Sequence, residues 1–264
     1  MAATVEGPLM KEPRTFARSR RRDIAEIAIA YGLILTVIWT PRPLQQMLWW
    51  AAVAVIAAIM AVSFDGLRTM GLRTSNFFGS FWVVGAALAI SAAAVLIAAR
   101  LHTLRQPENT RLLIEAFWLY AIWSGVQQFL LQCFFLSRLL RLLPGPRQAA
   151  FTAALLFAIA HLPNPILSIL TIIWGTLACL IFLRYRNLYP LAIAHAILGI
   201  TIAVSVPGHV DHNMRVGLGY LKYHRRQRLL PLPVQRSQSD QMASTVAWVT
   251  ADAPTLRRHR HARP

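Results

Sequence analysis

Apolar residues run along this chain in long blocks, and the breaks between them carry proline, glycine or charge. Seven segments follow from that pattern, at about 24–39, 44–64, 77–99, 112–143, 148–161, 166–183 and 188–206. Asp23, with Glu26 three residues on, reads as a capping box for the first. Pro41 and Pro43 end it, Pro144-Gly145-Pro146 separates the fourth from the fifth, and Pro163 closes the fifth. After Pro207 the apolar pattern stops, and residues 207–264 read as a basic, largely disordered tail. Three regions are therefore expected: a basic tail at 1–23, a helical domain at 24–206 and the C-terminal tail.

Runs of this length and polarity are membrane helices rather than core helices of a soluble domain. The predicted fold class is all-α, a polytopic transmembrane helix bundle of about seven helices, six to eight allowing for a re-entrant segment. Composition agrees. Of 264 residues, 56% are hydrophobic and 14% charged, against about 25% charged in ordinary soluble domains. Mean hydropathy is +0.47.

The net charge of +17 sits mainly in the two tails and in short loops such as Arg68/Arg73, Arg138/Arg141/Arg147 and Arg184/Arg186. Basic loops orient helices and contact anionic headgroups, so a nucleic-acid partner is not needed to explain them. No nucleic-acid-binding signature is present. The expected location is a bacterial-type inner or plasma membrane, multi-pass, with the N-terminus cytoplasmic. Cys133 and Cys179 both lie inside apolar runs and read as small hydrophobes. No cleavable signal sequence is expected, since the first apolar run begins near residue 24.

Polar side chains inside such segments mark function by default. In the fourth segment Ser124, Gln128 and Gln132 recur every four residues, on one helix face with Gln127 beside it. His161 ends the fifth segment and His195 lies in the seventh. Gln128 is 15 residues before the turn at Leu143, or ~22 Å at about 1.5 Å per residue. His161 is 13 residues beyond that turn, or ~20 Å by the same rise. His195 lies roughly 12 Å past the Arg184–Asn187 loop, on the same side. The three elements can therefore converge. The plain alternative is interhelical hydrogen bonding worth ~0.6–2 kcal/mol, without chemistry.

At these residues the chain resembles the CPBP family, the CAAX protease and bacteriocin-processing (Abi) intramembrane proteases. That family carries Glu-Glu-x-x-x-Arg on one helix, Phe-x-x-x-His on the next and His-x-x-x-Asn on a later one. Here Phe157-Ala-Ile-Ala-His161 is intact, with Asn164 in the Pro-rich turn that follows, and His195 matches the third motif. The resemblance is strongest over 123–200, within a family core at about 112–206. It implies an intramembrane endopeptidase acting on hydrophobic or prenylated peptides, in which a glutamate activates water. The departures fall on that chemistry. Gln127-Gln128 stands at the glutamate pair, Gln132 at the arginine and Gly199 at the asparagine. Glutamine hydrogen-bonds but does not accept a proton as a base.

Gln127, Gln128, His161 and His195 are thus the candidate catalytic positions, supported by Gln132, Phe157, Asn164 and Gly199. Three readings stay open. One is a peptidase with a histidine base. One is a weakly supported zinc site using His161, His195, His209 and His212, since no other cofactor is expected. The last is an inactive family member, a binding or chaperone-like membrane protein that holds a peptide, lipid or partner helix in the bilayer without cutting it. A transporter is disfavoured, because no inverted repeat is visible.

Overall fold

The computed structural model describes residues 20–64, 66–67, 70–72, 77–105 and 110–229, and within 110–116 and 226–229 the backbone alone. The basic residues before Arg20, Arg68, Arg73, the side chain of Glu115 and the chain beyond 229 lie outside the described residues.

Every apolar segment is helical, and among the described residues there is no strand. The order is α1 (Arg20–Trp39), α2 (Leu44–Val62), a single turn α3 (Phe77–Ser80), α4 (Trp82–Arg100) and α5 (Thr110–Phe129). A π-helical stretch, Leu130–Leu136, joins α5 without a break to α6 (Ser137–Leu142). Then come α7 (Pro146–Ile159), α8 (Pro165–Tyr185), α9 (Tyr189–Ser205), α10 (Gly208–Asp211) and α11 (Gly217–Leu229).

Among the described residues four helices are long and apolar enough to cross a membrane: Leu44–Val62, Phe77–Arg100, Phe117–Leu142 and Pro165–Tyr185. A fifth is reached if α9 and the segment Gly208–Met214, bent by 117° from it, are one span. The expected count of seven is therefore not met by length and composition. The shortfall has a physical source. The 14 residues of α7 rise only ~21 Å, short of a ~30 Å hydrocarbon core. The first turns of α1 carry Arg20, Arg21, Arg22, Asp23 and Glu26.

Two of these polar residues correct the sequence reading. Helix α1 begins at Arg20, ahead of Asp23, so Asp23 and Glu26 do not form its cap. They reach across to α6 instead. Arg141 Nη2 donates to Asp23 Oδ1 at 2.6 Å and Arg141 Nε to Asp23 Oδ2 at 2.9 Å. Arg138 Nε donates to Glu26 Oε2 at 2.7 Å. The Arg20 guanidinium also donates to Leu142 O at 3.3 Å. This end of α1 and the turn after α6 therefore lie on one side of the bundle.

The α7–α8 hairpin is built from small residues. Ala149, Ala150, Ala153 and Ala154 are fully buried on one face of α7. A Cβ on Gly175 of α8 would come within 3.1 Å of Ala154. Close backbone approach of this kind replaces hydrophobic burial as the source of helix association in lipid. Pro146 begins α7 after the extended Gly145, and Pro165 begins α8. The Asn164 carboxamide oxygen caps α8 by accepting from Leu167 N at 3.2 Å.

The chain past Pro207 also differs from the expected tail. Residues 208–229 are largely helical, and the strap between α9 and α11 is buried at Asp211 and Asn213. Arg105 holds both, with Nη2 donating to Asp211 Oδ1 at 3.0 Å and Nη1 to Asn213 Oδ1 at 3.2 Å. Asn164 Nδ2 donates to the carbonyls of Asp211 and Arg215, and Gly217 N donates to Leu162 O. Gly217 has φ +52, and a Cβ there would collide with Ile38. The strap thus seats α11 against the far end of α1.

Candidate active site

The four-residue polar stripe of the fourth segment faces inward, as its composition requires. Ser124 and Gln128 are fully buried and Gln132 is 1% exposed. Gln132 sits in the π-helical stretch, a device that inserts a residue into a helix and is frequent at functional sites. Gln132 Nε2 donates to Gln128 Oε1 at 3.3 Å. With its oxygen so occupied, Gln128 turns Nε2 toward His195 Nδ1, 2.9 Å away. The expected convergence of α5 and α9 therefore occurs, through Gln128. Gln127 instead faces an internal cavity.

His161 and His195 line that same cavity, and both rings stand edge-on to Phe157, with centroids 4.8 and 5.9 Å from it. The retained Phe-x-x-x-His spacing explains the first contact. Four residues make about one helical turn, which brings His161 Nδ1 within 2.7 Å of Phe157 O. Trp174 of α8 closes the other side of His195, with centroids 6.0 Å apart.

With the Gln128 and Gln132 amides oriented as they stand in this structure, these contacts assign the ring protons. A backbone carbonyl only accepts, so His161 Nδ1 must donate to Phe157 O; in the neutral ring its Nε2 then holds a lone pair. A glutamine NH2 only donates, so His195 Nδ1 must accept from Gln128, and the ring proton sits on Nε2. The two imidazoles are thus held in opposite tautomers. One offers an accepting nitrogen and the other a donating one.

The cavity has a volume of about 1530 Å³ and a wall made mostly of aliphatic and aromatic side chains. No aspartate or glutamate lines it among the described residues. Asp211, the acidic residue that follows α9, is fully buried and paired with Arg105. The four-histidine metal set is not assembled either. Among the described residues no three His, Cys, Asp or Glu side chains come together in a group able to hold an ion. Cys133 and Cys179 are free and buried, away from the cavity wall.

Of the supporting residues, Phe157 packs on both histidines, while Asn164 is engaged in capping α8 and anchoring the strap. Gly199 lies one turn past His195. A Cβ built on it would overlap the Tyr120 hydroxyl and come within 2.5 Å of Tyr120 Cζ. Tyr120 of α5 therefore occupies the space that a side chain at 199 would need. It also lines the cavity. Tyr120 is not among the residues expected from sequence, yet it lies four residues before Ser124 and extends the same stripe. Trp174 carried no comparable signal, since an aromatic in an apolar helix is ordinary.

Residues 109–201 match the family model described as Type II CAAX prenyl endopeptidase Rce1-like. The match contains every candidate catalytic and supporting residue named above, from Gln127 to Gly199. It is consistent with the CPBP resemblance carried by the motifs, and with an integral membrane protein of the CAAX-protease-like kind. No curated protein and no solved structure matches the chain.

Proposed function

We propose that this chain is an intramembrane peptidase of the CAAX-protease type, acting on hydrophobic or prenylated peptides, in which a histidine replaces the missing glutamate as base. The observation that carries the reading is the pair of opposite tautomers on one apolar cavity. His161 Nε2 takes a proton from water as that water adds to the scissile carbonyl, then returns it to the leaving amine. His195 Nε2–H, with the Gln127 amide, donates to the developing oxyanion. Gln128 and Gln132 are positioning residues, which fix the His195 tautomer through its other nitrogen. The apolar wall accepts the hydrophobic part of the substrate.

The second reading is an inactive family member that binds a hydrophobic peptide or a partner membrane protein. A specific observation favours it: no carboxylate lines the cavity among the described residues, and two of the three amides at the motif's ionic positions, Gln128 and Gln132, are hydrogen-bonded to each other. The N-terminus is assigned to the cytoplasmic side of a bacterial-type plasma membrane. Arg20 and the turn after α6, with Arg141 and Arg147, share one side of the bundle, and basic residues favour the cytoplasm.

The purified chain reconstituted in liposomes and given farnesylated and unmodified hydrophobic peptides separates these readings. The expected result is slow cleavage, reduced by ~10²–10⁴-fold in His161→Ala, the usual range for a lost general base. Cleavage that survives His161→Ala contradicts the assignment. A silent native chain that gains activity on Gln127→Glu/Gln128→Glu/Gln132→Arg favours the inactive reading.

A further inference from the structure

The peptidase reading uses the histidine end of the cavity and leaves its other end unexplained. There the wall is formed by the α1–α2 turn, with Arg42, Gln45 and Trp49, and by the strap and α11, with Arg215 and Lys222. The two halves of this mouth are held together where Gly217 packs on Ile38. Three cations line the mouth and no acidic residue lines the cavity among the described residues. Arg42 and Lys222 are exposed, while the Arg215 guanidinium stands 4.8 Å over the Tyr223 ring.

Depth matters as much as charge. The 20 residues of α1 rise ~30 Å from Arg20, so the Thr40–Pro43 turn lies at the end of the bundle opposite Arg20. Trp49 and Trp50, stacked edge-on at 4.6 Å, stand one to two turns into α2, where amphipathic aromatics meet the headgroup layer. The mouth is therefore a basic rim at headgroup level above an apolar chamber. At about 1530 Å³ the chamber exceeds the ~300–1,000 Å³ of ordinary small-ligand sites.

We propose that this cavity seats a diacyl phospholipid with an anionic headgroup, its phosphate between Arg42 and Lys222 and its acyl chains in the chamber. Opposite charge at the rim selects the headgroup, since basic pockets between membrane helices bind phosphate headgroups. The volume selects two chains over one slender chain. The acyl chains share the apolar wall with the substrate's hydrophobic part, while neither rim cation touches the histidines' hydrogen-bond partners. A lipid there would also fix the strap against α1.

The test uses the full chain in detergent, titrated with phosphatidylglycerol, phosphatidylcholine or polyprenyl monophosphate, with native mass spectrometry and tryptophan fluorescence as readouts. Phosphatidylglycerol is expected to bind best, and to be lost from Arg42→Gln/Lys222→Gln by ~20–30-fold, at about fivefold per cation near a lipid surface. The charge-keeping variant Arg42→Lys/Lys222→Arg retains it. The control Arg21→Gln/Arg147→Gln removes the same charge from the opposite side and leaves binding unchanged. Equal binding of phosphatidylcholine, an equal loss in the control, or tighter polyprenyl phosphate binding overturns the proposal. Far-ultraviolet circular dichroism of each variant separates lost binding from lost fold. None of these readouts depends on peptide cleavage.

Discussion

Two buried polar clusters hang on the same continuous helix, α5 to α6, and they handle charge in opposite ways. Near its end, Asp23 and Glu26 are carboxylates, each met by an arginine of α6. In its middle, where the family motif places Glu-Glu-x-x-x-Arg, the chain has neutral amides joined to a histidine. An uncompensated buried carboxylate is costly and a paired one is not. The arginine of the motif has become Gln132, so the centre offers no cation to hold a glutamate. On the proposed reading, the loss of base and the loss of cation are one coupled change. Among the described residues each buried carboxylate stands beside a guanidinium group, as Asp211 beside Arg105 also shows.

The largest way to break this contrast is to remove a carboxylate's buried guanidinium partner. Arg138 is 1% exposed and holds Glu26 at 2.7 Å. Arg138→Gln is expected to lower stability by about 3–5 kcal/mol, read as a shifted unfolding midpoint in mixed detergent, and Glu26→Gln in the same chain recovers part of it. If the single and double variants are equally unstable, the pair is not what holds α1 to α6.

A smaller effect sharpens the other cluster. Gly199→Asn, which writes the motif residue back, places its side chain into Tyr120. The overpacking should cost about 1–3 kcal/mol. Adding Tyr120→Ala makes the double variant more stable than the two single losses predict, a coupling that a double-mutant cycle measures. Tyr120→Phe does not rescue, because the ring carbons themselves stand within 2.6 Å of the new Cβ. Additive losses contradict the view that Tyr120 fills the place of a side chain at 199.

The smallest effect compares two arginines on one carboxylate. Arg22 also bonds Glu26, at 2.8 Å, but its side chain is 46% exposed. Arg22→Gln should cost no more than ~1 kcal/mol by the same midpoint. A loss as large as that of Arg138→Gln would mean that burial does not set the worth of these pairs.

The sequence revealed what repeats locally and missed what depends on distant partners. The apolar runs delivered the helices, and the four-residue spacing delivered the inward stripe and the Phe157–His161 contact. The capping box at Asp23 and Glu26 was a sound local pattern, but it lost to guanidinium groups more than a hundred residues away. The strap was hidden for the same reason. Its anchors, Arg105 and Asn164, are remote in sequence from the polar segment they hold. Tyr120 was legible as the next member of the stripe, and was passed over because an aromatic there looks like ordinary packing. Depth arithmetic matched Gln128 with His161 and set His195 less deep, yet the hydrogen bond forms between Gln128 and His195, and Gln127 faces the cavity.

The central claim is that two neutral histidines, fixed in opposite tautomers, have replaced an ionic centre. Nitrogen-15 spectroscopy of histidine-labelled protein in lipid, with single His→Gln variants for assignment, measures this directly. The account predicts a proton on Nδ1 of His161 and on Nε2 of His195 at neutral pH, with the His195 signal changing tautomer in Gln128→Leu. A proton on Nδ1 of His195 in the unaltered chain, or a doubly protonated ring at either position, would contradict it.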